Sequence, residues 1–133
     1  MKQIHIISPK RIGLMAELTE ILAEAGINIE SIDAEEVGRN AVIVLNVDQY
    51  DLALHNLRSI KGIKLITEDA ILVRLKNKPG ALALISRRFT DKGISIRSIR
   101  FVKRDEEYAL VAISTDRTDA ALELVSDVAV LNA

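Results

Sequence analysis

The sequence lacks cysteine and tryptophan, and only 3% of its 133 residues are aromatic. The missing thiols exclude disulfides, thiolate metal sites and a cysteine nucleophile, and they favour a reducing, cytoplasmic location. The scarcity of aromatic rings argues against a platform for stacking nucleic-acid bases. No apolar run approaches the length of a membrane span, about 18 residues. Pro9 and the polar residues that follow it interrupt the N-terminal segment before the apolar region of a signal peptide could form. We therefore expect no nucleic-acid partner and no membrane partner.

The charges of the chain are nearly balanced. It has 18 basic and 19 acidic residues, and 49% of its residues are hydrophobic. A disordered segment would have lower hydrophobicity and a larger net charge, so the composition predicts a folded globular protein. The small net charge provides no general attraction to nucleic acid or to an anionic membrane.

An internal repeat runs through the chain. The stretch Ala25–Ile32 returns at Lys92–Ile99 with an offset of 67 residues, and the same offset pairs Gly13 with Gly80. Further along, the offset becomes 68, so the second copy has gained one residue. Because exposed turns tolerate insertions, we expect the added residue in the turn that follows Val37 in the first copy and occupies 104–107 in the second. The sequence thus predicts two domains, residues 1–68 and 69–133.

Each copy shows the pattern strand, helix, strand, strand, helix, strand. From Leu14, apolar residues recur at helical spacing, and the first helix of each copy stops at a glycine, Gly26 or Gly93. The alternation of isoleucines in the second strands slips at Ser31 and at Ser98, which predicts a β-bulge. This element order is the ferredoxin-like split βαβ arrangement. The fold class predicted is α+β, with two ferredoxin-like βαββαβ units, antiparallel sheets and helices on one face of each sheet.

The last strand of each copy is short, and it is expected at Ile63–Thr67 and at Val128–Asn132. A unit of about 60 residues buries only about 60% of its unfolded surface and is marginal alone. Open sheet faces or strand edges are therefore expected to meet another copy. The sequence predicts a homo-oligomer, most simply a homodimer.

Residues with catalytic potential are few. His5 and His55 have no counterparts in the second copy, and neither has the spacing of a metal site. Ser8 lacks the surroundings of a nucleophile elbow, and the adjacent carboxylates Glu35 and Glu36 are typical of a solvated turn. We expect no catalytic residue, no metal and no cofactor, so the chain is not predicted to be an enzyme.

The loop before the first helix of the second copy is the most informative segment. Pro79 lies near the first helical position, and Gly80 leaves the backbone unobstructed. The amides of Gly80, Ala81 and Leu82 would be unpaired donors at the positive end of a helix, which suits a carboxylate. Asn77 offers a donor and an acceptor for an α-amino group. Alternatively, Asn77 caps the helix and the proline and glycine only form the turn.

The segment Asn77–Leu82, followed by Gly93–Ile96, resembles the ACT domain family, whose members typically show N-x-P-G-x-L and then a helix ending in G-I-N-I. The resemblance covers nearly the whole chain as two tandem copies, with no catalytic domain attached. It implies a free-standing tandem ACT protein.

The first copy is similar to the family in Gly26–Ile29 and in Gly13–Leu14. It departs in the loop, where Lys10 and Ile12 stand in the places of the asparagine and the proline. This departure weakens the case for an equivalent pocket in the first copy.

What the resemblance implies is regulation by a small molecule, commonly an amino acid. ACT domains pair side by side, so that the glycine-containing loop of one domain faces the start of the second strand of its neighbour. The implied ligand-binding residues are Asn77, Pro79, Gly80, Ala81, Leu82, Ser95 and Ile96, together with Gly13, Leu14, Asn28 and Ile29 of the first copy. The ligand would stabilise one arrangement of domains or subunits through its differential affinity for the two states.

Three functional hypotheses remain open at this point. In the first, the protein binds an amino acid, acts by ligand-dependent domain or subunit association and reports to a partner enzyme. In the second, it is the regulatory subunit of an amino-acid biosynthetic enzyme such as acetolactate synthase, with protein contact as its main role. The third, an acylphosphatase-like enzyme or an RNA-binding domain, lacks the required loop or sheet aromatics. The sequence identifies neither the amino acid nor the partner enzyme.

Overall fold

The structure of the protein is a computed structural model that describes residues 3–67 and 70–130. The chain divides into two compact units between residues 68 and 69. The elements of the first unit are β1 (Gln3–Pro9), α1 (Leu14–Glu24), β2 (Ile29–Val37), β3 (Asn40–Val47), α2 (Tyr50–Leu57) and β4 (Lys64–Ile66). Those of the second unit are β5 (Ile71–Lys76), α3 (Ala81–Asp91), β6 (Ile96–Arg104), β7 (Tyr108–Thr115) and α4 (Thr118–Leu124).

The first unit has an antiparallel sheet with the strand order β2-β3-β1-β4. Both helices pack on one face of this sheet, because Leu18 of α1 and Leu57 of α2 belong to one buried cluster with Ile6 and Leu45 of the strands. This arrangement confirms the predicted α+β class with helices on one side of an antiparallel sheet. No helix in the described parts of the chain is both long and apolar enough to cross a membrane.

The second unit repeats this plan with the strand order β5-β7-β6. Helices α3 and α4 contribute Phe89 and Ala121 to a buried cluster that includes Val73 and Val111 of the sheet. The apolar stripe predicted for the first helix of each copy therefore faces the core in both units.

The closing strand predicted at Val128–Asn132 is not a strand within the described residues. Ala129 makes an isolated antiparallel bridge to Val73, beside which the Arg74 amide donates to the Val128 carbonyl and the Val130 amide donates to the Leu72 carbonyl. Residues 131–133 lie outside the described part of the chain. The physical reason is local: the amides of Val128 and Ala129 both donate to the carbonyl of Val125, which holds this stretch in a turn after α4.

The helix ends and the bulges lie where the sequence predicts them. Gly26 and Gly93 follow α1 and α3 with φ values of 72° and 69°, the left-handed conformation that ends a helix at little cost for glycine. The pairing register of β2 shifts beside Ser31, and that of β6 shifts beside Ser98. Both predicted bulges are confirmed.

The predicted position of the inserted residue is wrong. A second register shift in β6 makes Val102 the extra residue, in the strand and not in the turn. Beyond the shift, Arg104 pairs with Ala109 in the same way that Glu36 pairs with Ala41. The side chain of Val102 is buried, so the residue at which the register shifts places an apolar group in a buried position.

Candidate functional site

The loops that lead into α1 and α3 share one backbone conformation. In each, a glycine is the N-cap residue, and φ is 88° at both Gly13 and Gly80. This conformation is readily adopted by glycine and costly for other residues, which explains the glycine in both copies. Pro79 lies immediately before the N-cap, two residues before Ala81, the first helical residue.

The first turn of α3 presents free backbone donors. The amides of Leu82 and Ala83 have no hydrogen-bond partner in the described parts of the chain, and no side chain caps the helix. The Ala81 amide, by contrast, donates to the carbonyl of Lys78 at 3.4 Å, so the predicted set of three free amides is only partly correct. Because the first turn holds no acidic residue, the positive end of the helix dipole is available to an external anion.

Asn77 joins this loop to the turn between β6 and β7. Its backbone amide donates to the carbonyl of Glu107 at 2.9 Å, and its Nδ2 donates to the carbonyl of Asp105 at 2.8 Å. The alternative in which Asn77 caps the helix is therefore wrong. Its Oδ1 accepts no hydrogen bond from the described residues and remains an acceptor on an exposed side chain.

A cavity of about 280 Å³ lies beside the N-terminus of α3, and we name it the second-unit cavity. Its walls come from the end of β5, the loop that follows, the first turn of α3 and the β6–β7 hairpin. The lining residues are Leu75, Lys76, Asn77, Lys78, Pro79, Ala81, Leu82, Phe101, Arg104 and Ala109. The volume is close to the lower end of ligand pockets, about 300 Å³, and suits a small metabolite.

The first unit has a matching cavity of about 230 Å³, the first-unit cavity. Its lining residues are Arg11, Leu14, Met15, Ala34, Glu35, Glu36, Ala41 and Ile43. Charged groups here are paired within the protein: Arg11 donates to Glu17 at 2.9 Å, and the Lys10 ammonium lies 3.2 Å from the Glu36 carboxylate. Leu14 is buried at the wall and closes the cavity from the core side.

A larger concavity of about 460 Å³ follows the chain along Val47–Leu52. The described residues that line it form one continuous segment from the end of β3 to the first turn of α2, so among them no groups distant in the sequence converge there. The second-unit cavity has walls from separate elements, and its lining includes both Leu82, with a free amide, and Asn77, with a free acceptor, so it is the better candidate site.

The remaining predicted residues, Asn28, Ile29, Ser95 and Ile96, lie at the opposite end of each sheet from the loops. Ile29 pairs with Val47 at one end of β3, whereas Pro9, which leads into the first loop, pairs with Asn40 at the other end. The intervening length of β3 corresponds to about 20 Å. Within one unit the two halves of the predicted site are therefore separate, and closure of the pocket by a partner domain stays a prediction.

Asn28 and Ser95 have a local structural role at that end. The amide and the Nδ2 of Asn28 donate to the Asp48 carboxylate at 3.0 and 3.2 Å. The Ser95 amide donates to the matching carboxylate of Asp116 at 3.0 Å. These bonds attach the segment after the first helix to the end of the third strand in both units.

Sequence reasoning missed six of the lining residues, which are Leu75, Lys76, Lys78, Phe101, Arg104 and Ala109. The Arg104 guanidinium stacks on the Phe101 ring with 3.9 Å between the guanidinium carbon and the ring centroid. Aligning the copies with the extra residue at Val102 would have matched Arg104 with Glu36 and revealed a reversal of charge. An insertion placed in the turn conceals that match.

Two electrostatic features lie away from the cavities. Burial in β1 lowers the pKa of His5 to about 4, and its Nδ1 has no hydrogen-bond partner among the residues the structure describes. On α3, a hydrogen bond to Asp127 at 2.6 Å raises the pKa of Arg88 and lowers that of the aspartate. The described residues contain no cluster of His, Cys, Asp or Glu that could hold a metal ion.

Comparison with known families gives a match in the first unit. The family model described as "ACT domain" matches residues 6–61. Residues 6–61 are therefore similar to the ACT domain family. The match covers less than half of the chain and does not include the Asn77–Leu82 loop, where the resemblance in sequence motifs is clearest. That residues 1–68 and 69–133 form two tandem ACT domains is a proposal.

Comparison with curated proteins gives no match. Among solved structures, the chain is similar to a protein from Bacteroides thetaiotaomicron, with 23% identity over 95% of this chain and 86% of that chain and a TM-score of 0.46. It is similar to the regulatory subunit of aspartate kinase from Thermus thermophilus, with 24% identity over 95% and 91% of the two chains and a TM-score of 0.43. It is also similar to the acetolactate synthase small subunit from Thermotoga maritima, with 14% identity over 97% and 89% and a TM-score of 0.45.

Proposed function

We propose that the protein is a regulatory amino-acid-binding protein without catalytic activity, and that the second-unit cavity is its ligand site. The match of residues 6–61 to the ACT domain family supports the regulatory role. The resemblance to this family implies a small-molecule sensor. The choice of cavity depends on one observation: free backbone donors at the N-terminus of α3 lie in the same loop region as the free amide oxygen of Asn77.

These groups complement both charges of an amino acid. The α-carboxylate accepts hydrogen bonds from the amides of Leu82 and Ala83 at the positive end of the helix. The α-ammonium donates to Oδ1 of Asn77, whose Nδ2 is already held by the β6–β7 turn. Because the turn fixes the side chain, the acceptor is positioned before the ligand arrives, which lowers the entropic cost of binding.

The first-unit cavity is the weaker site in this proposal. Lys10 stands in the place of Asn77, and an ammonium group cannot accept a hydrogen bond from another ammonium group. Its neighbour Glu36 is an acceptor, but it is already paired with Lys10. A zwitterion would have to displace this ion pair in order to bind.

The proposed effect of the ligand is on association between copies of the chain. Strands β2 and β6 lie at the edges of their sheets, where backbone groups can pair with a further strand. Ile32 on β2 is 38% exposed, and Ile99 and Phe101 on β6 are 37% and 41% exposed. Edge strands with exposed apolar side chains favour a homo-oligomer.

The two edges carry opposite charges. At matching positions, β2 has Glu30, Asp33 and Glu35, and β6 has Arg97, Arg100 and Lys103. Pairing β2 of one copy with β2 of another would place like charges together, whereas pairing β2 of one copy with β6 of another places opposite charges together. The proposed homodimer therefore pairs the acidic edge of each copy with the basic edge of the other.

Isothermal titration calorimetry of the full chain with each standard amino acid tests the ligand site. We expect at least one amino acid to bind, and Asn77→Ala to weaken that binding by about 1 kcal/mol or somewhat more, since a contact with a charged group is lost. Lys10→Ala is the matched control and should leave the affinity unchanged. If no amino acid binds, the ligand-binding role is wrong, and protein contact on a biosynthetic enzyme becomes the better hypothesis.

A further inference from the structure

We infer that the second-unit cavity selects an acidic amino acid, whose side-chain carboxylate binds the cations that line the cavity. This inference rests on the proposed function and adds to it the charge of the ligand side chain. The ligand class is a small molecule with one ammonium group and two carboxylates.

The lining of the second-unit cavity is basic. Among the residues that the structure describes, it contains Lys76, Lys78 and Arg104 and no carboxylate. None of these three side chains forms an ion pair with the described residues. The stacking of Arg104 on Phe101 restrains the guanidinium while the N–H groups in its plane stay available to a carboxylate.

The first-unit cavity shows that the fold does not require this charge. Lys78 corresponds to Arg11, whose guanidinium is engaged by Glu17, and Arg104 corresponds to Glu36, which is engaged by Lys10. The same loop, helix start and hairpin therefore form a cavity with internally paired charges in one unit and a cavity with unpaired cations in the other.

A ligand with a neutral side chain would leave these cations close together without a counter-charge. An acidic side chain supplies that counter-charge, while the α-carboxylate occupies the backbone donors of α3 and the ammonium occupies Asn77. Because the cations are exposed to solvent, each contact is weak alone, and the selectivity depends on several acting together.

The test is calorimetry of the full chain with L-aspartate, L-asparagine, L-glutamate and L-glutamine, and with succinate and inorganic phosphate as anions that lack an ammonium group. We expect one acid to bind about tenfold more tightly than its amide, which is about 1.4 kcal/mol. The ratio of the affinity for the acid to the affinity for its amide should decrease at high salt, because exposed charges are screened. Lys78→Gln and Arg104→Gln should each lower the ratio severalfold, and Arg104→Lys should retain more of it than Arg104→Gln.

The matched controls are Arg11→Gln and Glu36→Gln at the corresponding positions of the first-unit cavity, and both should leave the ratio unchanged. Equal affinity for an acid and its amide would overturn the inference while the proposed amino-acid site stands. Succinate or phosphate binding as tightly as the acid would overturn it as well, because ammonium recognition would then be absent. Failure of every amino acid to bind would remove the proposed function itself.

Discussion

Replacing Gly80 or Gly13 with alanine adds the same methyl group to the same backbone conformation. Both glycines have φ of 88°, and an added Cβ would meet no atom within 4 Å at either position. The cost is therefore conformational strain alone, about 1–2 kcal/mol for a non-glycine residue in the left-handed region. The lower freedom of the unfolded alanine chain offsets about 0.4–1 kcal/mol of that strain. We expect each variant to lose about 1 kcal/mol of the free energy of unfolding.

The two variants should differ in ligand binding although they are matched in stability. Gly80 adjoins the free donors of α3, so its methyl group should obstruct a carboxylate and lower the affinity for the amino acid severalfold. Gly13→Ala should leave the affinity unchanged, because the first-unit cavity is the weaker site. Urea denaturation followed by circular dichroism measures the stability, and calorimetry on the same samples measures the binding.

Three outcomes would refute this reasoning. Stability losses that differ by more than about 1 kcal/mol would contradict the shared backbone strain, since strain is the only cost assigned to either position. Equal loss of affinity in both variants would show two equivalent cavities. Unchanged affinity in both would move the site away from these loops.

The remaining predictions concern the core, a buried histidine and the strand edges. Leu18→Ala and Ile85→Ala, at matching buried positions of α1 and α3, should each lower the free energy of unfolding by about 2–5 kcal/mol in urea denaturation, and a loss below about 1 kcal/mol at both would contradict their place in the core. Burial lowers the pKa of His5 from 6.5 to about 4. Between these pH values the unfolded chain therefore binds a proton that the folded chain does not. The free energy of unfolding should fall by about 3 kcal/mol as the pH decreases through this window. His5→Leu should remove that part of the pH dependence, and a profile parallel to that of the unaltered protein would show that His5 is not buried. In sedimentation equilibrium, Arg100→Glu on β6 should weaken self-association, and the double variant with Asp33→Arg should partly restore it. An unchanged monomer–dimer equilibrium in the single and the double variant would exclude pairing of the two edges.

The sequence by itself determined the features that depend on neighbouring residues. The left-handed glycines after α1 and α3, the slip of pairing beside Ser31 and Ser98, and the inward apolar stripe of each first helix all follow from local conformation and spacing. Such signals act over a few residues, so they can be recognised without knowing what lies across the sheet. The order of strands and helices in each copy, and with it the fold class, follows from them.

Only the tertiary structure decided what depends on pairing across the sheet. The insertion at Val102 shows in the register between β6 and β7, and it sets which residue of the second copy corresponds to Glu36. From neighbouring residues alone, the Asn77 side chain could either cap a helix or hydrogen-bond to a turn. In the structure the Asp105 carbonyl lies within reach, and the side chain binds the turn. Two cations of the second-unit cavity, Lys76 and Lys78, are close in sequence, but Arg104 comes from the distant strand β6, so their common charge becomes visible only in the folded unit.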